Sequence, residues 1–318
     1  MSFTITITRD FDQMSAAAAD IVAADIAAKQ AHDSGYVLGF ATGNSPTGLY
    51  KNLAAVFNSG RIDAGRVRSF NLDEYVGLPG ENAQQRALHP ESYSYFMIKE
   101  LFSLLDRTFA ETNVPWGTLI DQNELIAALE RQTGDYGLQG TGQGKAVVIR
   151  DGAPGVLGWI KENVLDAYER KIERSGGIDL HVVGVGGRGH VAFHESGIPF
   201  DGSRMLLVRL DDSTVGNAVA DGHFASVEDS PRYAISMGAE LVYTARTIVL
   251  IANGARKTGP VAESVLGDVT AQVPISYGQK YAADGGTLHY VLDEAAASEI
   301  LTRRADVEAR GYEVIDLR

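Results

Sequence analysis

The chain of 318 residues contains no cysteine and only two tryptophans. The first absence excludes disulfides, thiolate metal sites and a cysteine nucleophile, and it fits a reducing compartment. No apolar run approaches the roughly 18 residues of a membrane span, and the opening MSFTITITRD lacks the basic and apolar regions of a signal peptide. These absences predict a soluble, cytoplasmic protein with no membrane partner. Positive charge is scarce as well. Lys and Arg number 28 against 41 Asp and Glu, the formal net charge is -13, and no basic run interrupts that background. Such a field repels nucleic acid, so an anionic ligand must be caught by a few placed donors.

What is present is enough for a large core, at 45% apolar residues against 22% charged. Segments 3–8, 36–41, 67–72, 145–149, 178–185, 205–210, 247–251, 288–292 and 312–317 have the composition and period of strands. Between them, segments 12–30, 46–60, 91–105, 155–174 and 294–308 read as helices, others start near residues 125 and 260, and Asp211-Asp212 precede a further helical segment. This alternation predicts an α/β fold, a doubly wound, mostly parallel, Rossmann-like sheet with helices on both faces. With no Pro- or Ser-rich linker and no internal repeat, residues 1–318 are expected to form a single domain. Trp116 and Trp159 are expected in the core or in loop packing.

The chemistry gathers at strand ends. The run IDLHVVGV (178–185) stops in Gly186-Gly187-Arg188-Gly189, and His190, His194 and Glu195 follow at once. It reads either as a buried strand emptying into a site or as a tight strand-to-helix turn with one histidine satisfied in the core; in open α/β sheets, ligands collect at such strand ends. After the strand 36–41 comes Thr42-Gly43-Asn44-Ser45-Pro46-Thr47-Gly48, with Ser45 a candidate helix cap and Pro46 suited to the first turn. Such a loop aims free backbone N–H groups and the positive end of a helix dipole at one point, as anion binding requires, or is an ordinary strand-to-helix turn. The strand 67–72 ends in Asp73-Glu74, where burial can raise one carboxyl toward neutrality for acid/base work, unless the pair merely caps or is solvated. By contrast, GLQGTGQG (137–144) followed by Lys145 lacks the spacing and the Ser or Thr of a P-loop and reads as a flexible loop. His190, His194 and Glu195 lack the HExxH order and an evident third ligand, so no metal is expected.

Taken together, TGNSP, NLDEYVGL (71–78), HPESY (89–93), GGIDL (176–180), GVGGRGHVAFHE (184–195) and GARK (254–257) resemble the glucosamine-6-phosphate deaminase (isomerase) family, whose fold is shared with 6-phosphogluconolactonases. The likeness spans nearly the whole chain except residues 120–160. It implies isomerisation of a phosphorylated amino sugar from aldose to ketose, coupled to deamination, with no cofactor or metal. Asp73, His190 and Glu195 become the implied catalytic set: Asp73 moves the C2 proton, and His190, oriented by Glu195, opens the ring. Thr42, Gly43, Asn44, Ser45 and Lys257 are implied to hold the phosphate, while Glu74, Arg188 and His194 are further candidate substrate contacts.

Four departures qualify the likeness. Arg188 stands where the family has an aspartate that completes the ring-opening relay, and a cation there works against the charged imidazole. Ungapped alignment puts Val219 at a phosphate-binding arginine, so Arg188 is a candidate to replace it. Met205 and Leu207 fall where an allosteric amino-sugar pocket needs basic residues, so regulation of that kind is not expected. Residues 123–161 are longer than the family implies and read as an inserted hairpin or lid over the cleft, or as surface decoration. Lactonase-like hydrolysis with His190 as base, and sugar-phosphate sensing without turnover, are the alternative functions. The sequence is compatible with a homo-oligomer.

Overall fold

Residues 180–183, an unbroken apolar and histidine stretch, are buried throughout and lie mid-sheet, as do residues 36–40 and 247–252. A strand with helices over both faces needs no polar side. The computed structural model describes residues 2–32 and 34–318. In chain order the strands are β1 Ser2–Thr8, β2 Tyr36–Phe40, β3 Val67–Asn71, β4 Asp73–Val76, β5 Glu111–Asn113, β6 Tyr136–Gln139, β7 Lys145–Ile149, β8 Leu180–Val183, β9 Met205–Arg209, β10 Tyr233–Met237, β11 Thr247–Ala252, β12 Thr287–Asp293 and β13 Glu313–Asp316.

Among the described residues, eight strands make one sheet in the order β13-β1-β12-β11-β8-β2-β3-β5, with every pairing parallel. From β2 the chain builds outward through β3, and from β8 it builds the other way through β11. The crevice between β2 and β8 is therefore the topological switch point, where doubly wound sheets place their ligands. Alternate residues of β11 show the two covered faces. Val249 and Ile251 pack with Met14, Val22, Tyr50 and Leu53 of helices Phe11–Gln30 and Thr47–Asn58. Ile248 and Leu250 pack with Leu157, Ile160, Val164 and Tyr168 of the long helical run that begins at Gly155–Ile160.

The expected parallel sheet is thus present, but it does not hold every strand. Residues 145–149 and 205–210 belong to a second, antiparallel five-stranded sheet, β4-β10-β9-β7-β6. The sheets join at Leu72, whose N–H donates to Phe40 O at 3.0 Å in the first while its carbonyl accepts from Met237 N at 2.7 Å in the second. Asp73 is the next residue. Met205 and Leu207 are buried in β9. The expected helix 294–308 is two short pieces, Ser298–Thr302 and Arg304–Ala309, and Trp159, expected in packing, is 43% exposed. No described helix is long and apolar enough to cross a membrane.

Candidate active site

Strands β11, β8, β2 and β3 are neighbours in that order, so the loops leaving their carboxyl ends share one edge. Ser45, expected to cap the next helix, instead donates to Asn253 Oδ1 at 2.6 Å. The cap position belongs to Pro46, which makes no side-chain cap bond to helix Thr47–Asn58. Four amides at a helix start lack intrahelical partners, so an uncapped start beside Gly43 and Asn44 keeps donors for an anion. Lys257 lies across from it and donates through Nζ to Val185 O at 2.5 Å. Burial first, and the charge of Arg256 second, push its ammonium below the usual lysine range. Thr42 lies close enough to the Tyr93 hydroxyl to lower its pKa slightly against burial, and the Tyr93 ring stacks on Phe193 at 5.9 Å.

Asp73 and Glu74 are both buried, yet their surroundings differ completely. Glu74 accepts at Oε1 from Tyr75 N and Tyr93 N, both at 3.0 Å, and at Oε2 from Ser92 Oγ at 2.8 Å, Ser94 N at 3.0 Å and Ser94 Oγ at 3.1 Å. The implied substrate contact at Glu74 is therefore not supported by this geometry: the carboxylate is spent holding the start of helix Tyr93–Glu100. Asp73 Oδ1 is buried with no hydrogen-bond partner among the described residues. Burial, and then the charge of Glu74, push the Asp73 carboxyl well above its usual range. Its charge is felt by Tyr50, Tyr75, Tyr93 and Tyr168. A carboxyl with a raised pKa and an unpartnered oxygen can exchange a proton with a bound ligand.

The loop after β8 brings His190 Nδ1 to 3.4 Å from Glu195 Oε2. Gly186 is required beneath the ring, because a Cβ there would lie 1.7 Å from His190 Nε2. Burial would raise the Glu195 carboxyl, but the hydrogen bond and charge of His190, the Asp211 amide and the Thr214 hydroxyl outweigh it and hold it below its usual range. The Asp211 amide donates to Glu195 Oε1 at 3.1 Å. His194, by contrast, does not face the cleft. Its buried ring accepts from Ala239 N at Nδ1, 2.9 Å, which leaves Nε2–H to donate to Ile198 O at 3.0 Å. Burial pushes its pKa down to about 4, so it is a neutral clamp on the loop with both ring nitrogens engaged, and the geometry does not support the expected substrate contact.

Arg188 extends into solvent, with Nη1 3.8 Å from Asp211 Oδ2. Val219 packs against the apolar cluster containing Tyr75, Phe193 and Phe224. Residues 137–144 are not a free loop either: they form the end of β6 and a turn seated on Glu195 and Ser196. Sequence reasoning missed this contact and the role of Asp211. An acidic pair before a helix signals a cap, which Asp211 Oδ1 is for Ser213 N at 2.9 Å, but carries no trace of its second set of partners. Among the described residues no group of three or more His, Asp or Glu side chains is placed to hold a metal.

The architecture is that of a fold found in both deaminases and lactonases acting on sugar phosphates. A solved monomeric glucosamine-6-phosphate deaminase of the NagB superfamily superposes with a TM-score of 0.69 at 24% identity, covering 93% of this chain and 99% of that one. The 6-phosphogluconolactonase from Leishmania guyanensis superposes at 0.58 and 19% identity, covering 94% and 99%. No family model matches the chain. In sequence, the glucosamine-6-phosphate deaminase of Clostridium acetobutylicum is 32% identical over 293 residues, 92% of this chain and 98% of the relative. That of Clostridium botulinum strain Loch Maree is 31% identical over 296 residues, 93% and 98%. The chain belongs to the glucosamine-6-phosphate deaminase family.

Proposed function

We propose that the protein converts glucosamine 6-phosphate, or a close amino-sugar phosphate, and water into the ketose phosphate and ammonia. The observation that carries this reading is Asp73: a buried carboxyl with one unpartnered oxygen at the junction of the two sheets, on the same edge as the His190–Glu195 pair. The phosphate is held by the amides of residues 42–45 and by Lys257. His190 protonates the ring oxygen as the hemiacetal opens and takes a proton from the C1 hydroxyl, with Glu195 fixing its tautomer. Asp73 then removes the C2 proton and returns it to C1, water adds at C2 of the resulting imine, and ammonia leaves. A cytoplasmic setting goes with this reading, since a doubly charged sugar phosphate cannot cross an apolar layer unaided.

The test is to incubate the protein with glucosamine 6-phosphate and measure ammonia and fructose 6-phosphate together. Equal amounts of both are expected. Hydrolysis of 6-phosphogluconolactone with no ammonia from any amino-sugar phosphate would assign the lactonase reaction instead, and neither product would leave only binding. Arg188 stays on the substrate side in this reading, as a donor to the phosphate that replaces the arginine absent at Val219. Arg188→Ala is then expected to raise KM about tenfold with kcat nearly unchanged, as loss of one exposed charged hydrogen bond implies. A fall in kcat at constant KM would remove Arg188 from phosphate binding.

A further inference from the structure

The glycine-rich turn between β6 and β7 touches none of the groups assigned to the substrate, yet it lies against the backbone and side chains behind them. A Cβ at Gly144 would stand 2.7 Å from both Cβ and Cγ of Glu195 and 3.2 Å from its Cδ, and one at Gly142 would stand 2.8 Å from Ser196 O. Neither glycine has a positive φ, so backbone conformation does not demand glycine at either position. Close approach does. The Gly144 N–H donates to Asp211 Oδ2 at 3.3 Å, the same oxygen that faces Arg188 at 3.8 Å, while the Asp211 N–H donates to Glu195 Oε1. Thr141 N donates to Gly197 O at 3.0 Å, and Gln272 Nε2 donates to Thr141 Oγ1 at 3.0 Å. The turn is itself fixed: β7 pairs with β9, Lys145 Nζ donates to Gly140 O at 2.7 Å and Arg209 Nη2 to Gln143 O at 3.2 Å.

We propose that this turn is a positioning element of the active site, in which Gly144 and Gly142 set the place of Glu195 and Asp211 and, through them, of His190 and Arg188. The proposal rests on the reading above that Glu195 orients His190. It assigns the β6–β7 hairpin a task that neither a lid nor surface decoration performs. Glu195 reaches His190 with one oxygen and the Asp211 amide with the other, so a shift of its stem breaks one contact or both. The hairpin is the wall that prevents the shift. Among the described residues, the charged or titratable groups near Glu195 are His190 and His194 on its own loop and Asp211 after β9, with Arg188 beyond Asp211; Lys145 on the hairpin is turned to Gly140.

The experiment compares Gly144→Ala, Gly142→Ala, Glu195→Gln and the control Gly137→Ala, whose added methyl meets open space, by steady-state kinetics on glucosamine 6-phosphate across pH. Gly144→Ala is expected to lower kcat at least tenfold with KM changed less than threefold. The loss should be present across the pH range, because the acid limb is set by Asp73, whose raised pKa lies above that of Glu195. Gly142→Ala should give a smaller change of the same kind and serves alone if Gly144→Ala does not fold; Gly137→Ala should match the wild type. Wild-type kcat in Glu195→Gln would overturn the role of Glu195 and the proposal with it. An impaired Glu195→Gln beside glycine variants whose kcat is unchanged, even with a lower Tm, would overturn the positioning role alone.

Discussion

Asp73→Asn is expected to abolish most deamination, lowering kcat by about 10²- to 10⁴-fold as loss of a general base does, while making the protein harder to unfold at neutral pH. Both effects come from one property. The Asp73 carboxyl is buried, its Oδ1 has no partner, and Glu74 is its neighbour, so burial and then like charge hold its pKa well above the usual range. In the unfolded chain the same group ionises at about 4. Between those two values the folded protein binds a proton that the unfolded one does not, so stability is fullest below the unfolded value and falls as pH rises toward the folded one. Asparagine carries no such dependence. The gap in Tm between Asp73→Asn and wild type should therefore widen from pH 4 to pH 8, read by calorimetry at several pH values. A gap that stays constant would mean that the fold does not raise the Asp73 pKa, and retained ammonia release would remove it from the chemistry.

That asymmetry between neighbours also marks the limit of what the sequence discloses. The strand ends were legible because buried parallel strands write themselves as apolar runs, and glycine or small polar residues stop them; residues 36–41, 67–72, 178–185 and 247–251 all fall in the parallel sheet with their loops on one edge. The second sheet was not, because β4 continues from β3 without a turn and pairs with β10, some 160 residues later in the chain, which no local period records. Asp73 and Glu74 look alike in sequence, and only the fold brings Ser92 to Ser94 onto one of them. His194 looked like a ligand-facing group for the same reason: its partners, Ala239 N and Ile198 O, are backbone atoms, and backbone atoms have no signature. The turn 140–144 looked flexible because glycine permits flexibility; here the missing side chains make room for Glu195 and Ser196.

Glu74→Gln should act on the other side of the same division, costing stability while leaving the chemistry of folded molecules largely intact. All five contacts of the Glu74 side chain are donors, three backbone amides and two serine hydroxyls, with two meeting Oε1 and three meeting Oε2. The hydroxyls can rotate away, but the amides of Tyr75, Tyr93 and Ser94 cannot. Whichever way the glutamine amide is turned, its NH₂ faces at least one fixed amide, and a buried donor left unsatisfied costs about 1–3 kcal/mol, more where the lost partner was charged. With two donors stranded, one of them the variant's own, the loss is about 3 kcal/mol, or a Tm lower by about 4–5 °C at about 2.1 cal/mol/K per residue over 318 residues. Tyr93 is fixed by that helix start and lies beside Thr42, so a modest rise in KM should accompany the loss, while kcat at a temperature where the variant is folded stays within a few-fold. Calorimetry and kinetics on the same sample separate the two. A Tm unchanged within 2 °C, as an order-of-magnitude threshold against that loss, would mean that the donors find other partners, and a collapse of kcat in fully folded protein would restore Glu74 to the substrate.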